Sequence, residues 1–292
     1  MIAYEESQNK ATILMEALPY VRRFRGSVFV VKYGGSFMDS PDPAIRSRVA
    51  QDLVFLNFVG IQVVVVHGGG KAITKELENR GLAATFIDGL RVTDIHTIEV
   101  VDEILNGKIN QEVAEFVSSY DCEMQRLPGK EIIHCKKLDR QPDLGFVGEI
   151  TQINTAPIVE ALDQGLMPII SSTASDDDGQ CYNVNADTVA AEVATSLQAR
   201  RLVYLSDVPG LLRNPEDPKT LLSSLPVDQV EPLKKEGVIS RGMLPKVESA
   251  VEALGSGVNR VHFIDGRVPH SILLEIFTDR GIGTEIVHES SP

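Results

Sequence analysis

The chain has 292 residues, 43% of them hydrophobic and 24% charged, enough for one large or two medium globular lobes. Its formal net charge of −13, from 41 acidic and 28 basic side chains, disfavours a nucleic-acid binder, whose affinity rests on Lys and Arg against phosphates, yet leaves room for a small anionic substrate in a locally cationic cleft. Three cysteines (Cys122, Cys135, Cys181) without a CxxC pair, no secretion signal and a longest apolar run of only Val63 to Val66 exclude a membrane span and point to reduced thiols in the cytoplasm, with a plastid as the alternative.

Residues 11–25 open with apolar side chains at helical spacing, Ile13, Leu14, Ala17, Leu18 and Val21, and Pro19 predicts a kinked or two-part helix. Residues 28–36, VFVVKYGGS, read as a buried strand entering a glycine turn, and 44–59 resume a helical pattern. Residues 63–71, VVVVHGGGK, repeat the strand-to-glycine pattern before a helix through Ile73 and Leu77. This alternation predicts an α/β fold with a mostly parallel sheet. A helical stretch over 94–119 follows. From Glu123 to Ile153 short alternating runs, broken by Pro128-Gly129, Pro142, Gly145 and Gly148, suggest hairpins. Helix 156–164, strand 166–171, an aspartate-rich turn at 176–179 and helix 187–197 come next. Residues 202–212 form a strand running into a Pro–Gly turn, with a polar loop at 214–219. A helix over 243–254, a strand and turn over 258–266 and a helix over 270–277 complete the pattern. There is no internal repeat, and a lobe boundary is expected near 198–201.

Ligands of open α/β sheets bind at the carboxyl ends of the strands, and three glycine turns sit at such ends: Gly34-Gly35, Gly68-Gly69-Gly70 and Pro209-Gly210. Glycine lets backbone N–H groups approach phosphate oxygens, and a following helix adds its positive end. A single Gly pair more often makes only a tight turn. Two such turns, each with an adjoining lysine (Lys32 and Lys71), favour phosphate. The P-loop, the dinucleotide GxGxxG and the protein-kinase set are all absent. In NVNAD (183–187), Asn185 or Asp187 can serve as a helix N-cap, a role that does not account for Asn183. Lys246 stands at a helix start, where the positive end disfavours a cation unless an anion is near. His67 reads as a structural imidazole or as an acid–base group. The run at 176–179 does not fit a calcium loop, and Cys135 lacks partners at metal-ligand spacing.

Taken together, VVKYGGS, VVVVHGGGK, FIDGLRVTD (86–94), DLGFVGEI (143–150), NVNAD, LSDVPGLL and SRGMLPK resemble the amino acid kinase family, in the branch that phosphorylates N-acetyl-L-glutamate early in arginine biosynthesis. The resemblance spans about residues 11–287. It implies a three-layer αβα sandwich of the carbamate kinase-like kind. The implied division is a helical extension over 1–25, a lobe over 26–198 for substrate and dimerisation, and a nucleotide lobe over 199–292. Lys32 and Lys246 would contact the transferring phosphoryl group and Asp187 would hold them. Gly34, Gly35 and Gly69 would offer N–H groups to phosphate. Gly69, Gly70, Arg91 and Asn183 would line the substrate site. Asp207, Gly210, Leu211 and Ser240 would line the nucleotide pocket. ATP with Mg²⁺ carried mainly by its phosphates, rather than by protein ligands, is the implied cofactor set. The segment ALPYVRRFR further resembles the arginine-inhibited branch that forms hexamers as trimers of dimers. This makes Tyr20, Glu275, Gly281 and Gly283 candidate effector contacts, and a PII signalling protein a candidate partner. Three stretches depart from the commoner pattern: SSTAS (171–175), LPGKE (127–131) and Arg241. Alternatives are a kinase of the same fold acting on an aminoadipate derivative, aspartate or glutamate, or a catalytically weak arginine sensor.

Overall fold

The computed structural model describes residues 2–34, 43–239 and 241–288. In chain order these form α1 (Ile2–Phe24), β1 (Val28–Tyr33), α2 (Pro43–Phe58), β2 (Gln62–His67), α3 (Gly70–Asn79), the short ribbon β3 (Phe86–Ile87) and β4 (Leu90–Arg91), and α4 (Ile95–Asp102). A π-helical turn, Glu103–Ile109, joins α4 to α5 (Asn110–Ser118). Then come β5 (Met124–Leu127), α6 (Gly129–Ile132), β6 (Ile133–Lys137), β7 (Gly148–Ile153), α7 (Ala156–Asp163), β8 (Met167–Ser171), β9 (Thr173–Ser175), β10 (Cys181–Asn183) and α8 (Ala186–Ser196). The remainder is β11 (Arg201–Ser206), β12 (Ser224–Pro226), α9 (Val230–Lys235), α10 (Leu244–Gly255), β13 (Val261–Asp265), α11 (Ser271–Ile276) and β14 (Thr284–Val287).

Eight strands make one sheet in the order β12-β14-β13-β11-β1-β2-β8-β5. Every pairing in it is parallel except β13 with β14. The β-branched runs explain why its centre is buried on both faces. Val30, Val64, Val66, Leu202 and Tyr204 pack on one side with α8 and α10, whereas Phe29, Val31, Val63, Val65 and Val203 pack on the other with α2 and α5. These are the three layers of an αβα sandwich. Because β1 lies between β2 and β11, the turns after all three strands emerge along one edge.

Three expectations change. Residues 2–24 form one helix that runs through Pro19 rather than two pieces; a proline removes a single N–H donor, and the turns on either side carry the helix through. The stretch from Glu123 is not hairpins throughout: β5 joins the main sheet beside β8, and only β6 and β7 pair antiparallel. Strands β12 and β14 were not foreseen, because each is short and takes its hydrogen bonds from distant segments.

A second sheet, β10-β9-β6-β7, brings the stretches 127–131 and 171–175 into contact. Gly129 N–H donates to Ser171 Oγ at 2.8 Å and Lys130 N–H to Thr173 Oγ1 at 3.0 Å. A Cβ at Gly129 would run into the Ser171 and Thr173 carbonyls. The two departures from the family pattern therefore form one interlocked unit. Gly129→Ala should destabilise the chain by about 1–3 kcal/mol through this overpacking, read as a lower urea midpoint at unchanged m-value.

Candidate active site

Three separated segments meet beside β1 through backbone hydrogen bonds. Thr93 N–H donates to Leu144 O at 2.8 Å, Phe146 N–H to Thr93 O at 2.7 Å and Asn183 N–H to Phe146 O at 2.9 Å. Together with the two glycine turns they enclose a cleft of about 240 Å³ lined by Lys32, Gly34, Gly69, Gly70, Arg91, Asn183 and Asp187, among others. The volume suits a metabolite smaller than the drug-sized ligands of about 300–1,000 Å³ pockets.

Asp187 is the centre of this cleft. Asn185 caps α8, accepting from Asp187 N–H at 2.7 Å. The Asp187 carboxylate, in the first turn and favoured by the positive helix end, is thereby left for other work. Lys32 Nζ lies 2.9 Å from its Oδ1 and Lys246 Nζ 2.5 Å from its Oδ2. Lys32 arrives from the end of β1 and Lys246 from the first turn of α10. Burial alone would raise the Asp187 carboxyl, but Lys32 and then Lys246 outweigh it and hold the group down at about 2. A Cβ at Gly34 would sit 2.7 Å from the Lys32 ammonium, so the missing side chain keeps this ion pair open.

Arg91 forms the opposite wall. Its Nη2 donates to Gly70 O at 2.8 Å and Thr74 Oγ1 at 2.9 Å, and the guanidinium lies 4.6 Å from the centre of the Phe86 ring. Its buried Nη1 has no partner among the described residues, an arrangement suited to a carboxylate from a ligand. Burial lowers its pKa from the ordinary guanidinium value. Asn183 Nδ2 reaches Thr93 Oγ1 at 3.3 Å.

Of the two lysines adjoining the glycine turns, Lys32 enters the cleft. Lys71 is exposed and lines a neighbouring hollow of about 420 Å³. Asp207, Gly210 and Leu211 follow β11 at the same edge of the sheet but outside the lining of this cleft; Leu211 is buried, and its N–H donates to Thr284 Oγ1 at 2.9 Å. Gly35 and Ser240 lie outside the described residues. Thr74 and Phe86 were not singled out from the sequence, although Phe86 opens the FIDGLRVTD segment that contains Arg91. Cys135 and Cys181 are pushed up to about 12, chiefly by burial, as expected of inert thiols.

The effector candidates converge elsewhere. Tyr20, Glu275 and Gly281 line a hollow of about 320 Å³ between α1 and the C-terminal strands, with Arg23, Arg201, Arg260 and Asp279 on its walls. The Tyr20 hydroxyl donates to Asp279, and Gly283 N–H donates to Glu275 Oε2 at 2.9 Å. No helix among the described residues is long and apolar enough to cross a membrane.

A family model described as the amino acid kinase family matches residues 27–265. An acetylglutamate kinase from Syntrophomonas wolfei is 45% identical over 285 residues, covering 97% of this chain and 99% of its own. One from Heliobacterium modesticaldum is 46% identical over 290 residues, with 95% and 98% covered. Among solved structures, N-acetylglutamate synthase from Neisseria gonorrhoeae, complexed with coenzyme A and N-acetyl-glutamate, superposes with a TM-score of 0.85 at 26% identity. That alignment covers 96% of this chain, which spans 64% of the synthase's length. Carbamate kinase from Giardia lamblia shares the fold at a TM-score of 0.67 and 14% identity, with 90% of this chain and 98% of its own covered.

The Asp187 linkage has a definite sign. A carboxyl held low in the folded state stabilises it fully above the unfolded value, given as 3.8, and this contribution fades as pH falls towards about 2. The stability difference between the wild type and Asp187→Asn should therefore be flat above about pH 5 and shrink below the unfolded value. Urea unfolding across that range measures it.

Proposed function

The chain belongs to the amino acid kinase family, and from that premise we propose that it transfers the terminal phosphoryl group of ATP to the side-chain carboxylate of N-acetyl-L-glutamate. The observation that carries the reading is the pair of ammonium groups, Lys32 and Lys246, held on either side of Asp187. The acceptor carboxylate, with an unperturbed pKa of about 4.3, is already ionised at neutral pH and needs no general base. What the reaction needs is alignment and neutralisation of the charge on the phosphoryl oxygens. Two lysines and the N–H groups of the glycine turns answer that need. Arg91, with its unpartnered Nη1, grips the α-carboxylate, and Asn183 lies near the acetamido end. The turn after β11, through Asp207, Gly210 and Leu211, receives the nucleotide in the part of the chain beyond residue 199.

Mg²⁺ in this reading travels on the ATP phosphates and screens their charge. In support, no group of three His, Cys, Asp or Glu among the described residues could hold a metal, and both oxygens of Asp187 are engaged by lysines. The reading extends to feedback inhibition by arginine in the hollow beneath α1. Its walls carry the carboxylates Glu275 and Asp279 and the guanidinium groups of Arg23 and Arg260, complementary to a zwitterion with a cationic side chain. Ile13, Leu14, Met15 and Leu18 are exposed on α1, an apolar stripe suited to interlacing dimers into a hexamer.

A coupled ADP-release assay tests the activity: N-acetyl-L-glutamate should be turned over, and free glutamate, aspartate and aminoadipate hardly at all. Lys32→Ala and Lys246→Ala should each lower kcat by about 10²–10³-fold, whereas Arg91→Ala should mainly raise KM for the acidic substrate. Near-normal kinetics in all three variants would remove the assignment. Arginine should inhibit the wild type, and Glu275→Gln should weaken that inhibition at least tenfold with little change in kcat. An arginine-insensitive wild type rejects the regulatory part alone.

A further inference from the structure

His67 closes β2 directly ahead of the triple glycine and is completely buried, so it cannot touch a substrate. Its surroundings nevertheless determine which of its nitrogens bears hydrogen. Arg126 Nε lies 2.8 Å from Asn110 Oδ1, and because a guanidinium only donates, that atom must be the amide oxygen. Asn110 Nδ2 then faces two acceptors, the Ile169 carbonyl at 3.0 Å and His67 Nε2 at 3.0 Å. Nε2 accepts, so in the neutral ring the hydrogen is on Nδ1, which donates to the Gly68 carbonyl at 3.1 Å. The ring stays neutral at ordinary pH, because burial pushes it down to about 4.

The Gly68–Gly69 peptide is planar, and in the trans form its N–H points opposite to its C=O. A Gly68 carbonyl drawn onto His67 therefore turns the Gly69 N–H away from the protein interior, towards the cleft that Gly69 lines with Lys32 and Asp187. The other side of Gly69 is closed by the π-helical turn, since a Cβ there would strike Ile109 and Leu105. The same turn leads directly into Asn110 at the start of α5.

We propose that His67 is a positioning residue that aims the Gly69 N–H at the transferring phosphoryl group, with Asn110 and Arg126 fixing the tautomer that lets it do so. The proposal deepens the phosphoryl-transfer reading and rests on it. A group of this kind acts on the transition state through a backbone donor, so its loss lowers turnover more than substrate binding.

Steady-state ADP-release kinetics on the full chain, with thermal unfolding of each variant, test this. His67→Leu removes the donor and should lower kcat about 10- to 100-fold, with KM for N-acetyl-L-glutamate within about twofold. His67→Asn returns an amide N–H close to the Nδ1 position and should recover most of that loss. A His67→Leu defect that only tracks the fraction unfolded, or that His67→Asn fails to relieve, overturns the proposal. Nitrogen-15 spectra of the histidine-labelled wild type, with the His67 signal assigned by its loss in His67→Asn, should show hydrogen on Nδ1; hydrogen on Nε2 instead also overturns it. A wild type that turned over none of the acidic substrates would reject the functional reading, and the tautomer measurement would still decide the geometry on its own.

Discussion

The structure turns on one carboxylate shared between two ammonium groups. Asp187 sits in the first turn of α8, where Asn185 has already taken the capping role and both side-chain oxygens of Asp187 are left for Lys32 and Lys246. One negative charge against two positive ones leaves a local excess of positive charge in a chain whose formal balance is −13. That excess lies beside the positive end of a helix and the amides of the glycine turns, where anions are favoured.

The rest of the fold holds the three contributors in register. Strand β1 occupies the middle of the sheet between β2 and β11, so Lys32 and the turns on either side emerge at one edge with little freedom to drift. Helix α8 packs against α10 on the face that carries Val30 and Tyr204, and the Tyr204 hydroxyl donates to the Asp187 carbonyl at 3.2 Å. The carboxylate is thus fixed through its own backbone as well as through its lysines. On the other wall, Arg91 is tied to α3 through Gly70 and Thr74 and leans on Phe86, an arrangement that orders a long side chain before any ligand arrives.

Beneath the cleft lies a layer of buried polar groups joined through side chains. Arg126, Asn110 and His67 run below the triple glycine. Close by, Asn106 on the π-helical turn accepts from Ser171 and Thr173, whose hydroxyls also accept the N–H groups of Gly129 and Lys130. The unusual SSTAS and LPGKE stretches are therefore partners in one satisfied network rather than two unrelated loops. A network with all its members paired can specify a single arrangement of a site at modest cost in stability.

Local pattern alone determined the alternation of buried strands with helices, the mostly parallel sheet, the helices flanking the glycine turns and the candidates Lys32, Arg91, Asn183, Asp187 and Lys246, because hydrophobic period, β-branching and glycine position act within a few residues. Whether those candidates meet was beyond the reach of spacing. Lys32 and Lys71 adjoin similar turns, and it is the direction in which each emerges from the packed sheet that sends one into the cleft and the other to solvent. The part played by His67 was equally hidden: it depends on Asn110 and Arg126, which approach through the packing of α5 and β5. Strands β12 and β14 formed for the same reason, since a short extended segment becomes a strand only when a distant neighbour supplies the hydrogen bonds that its own sequence cannot.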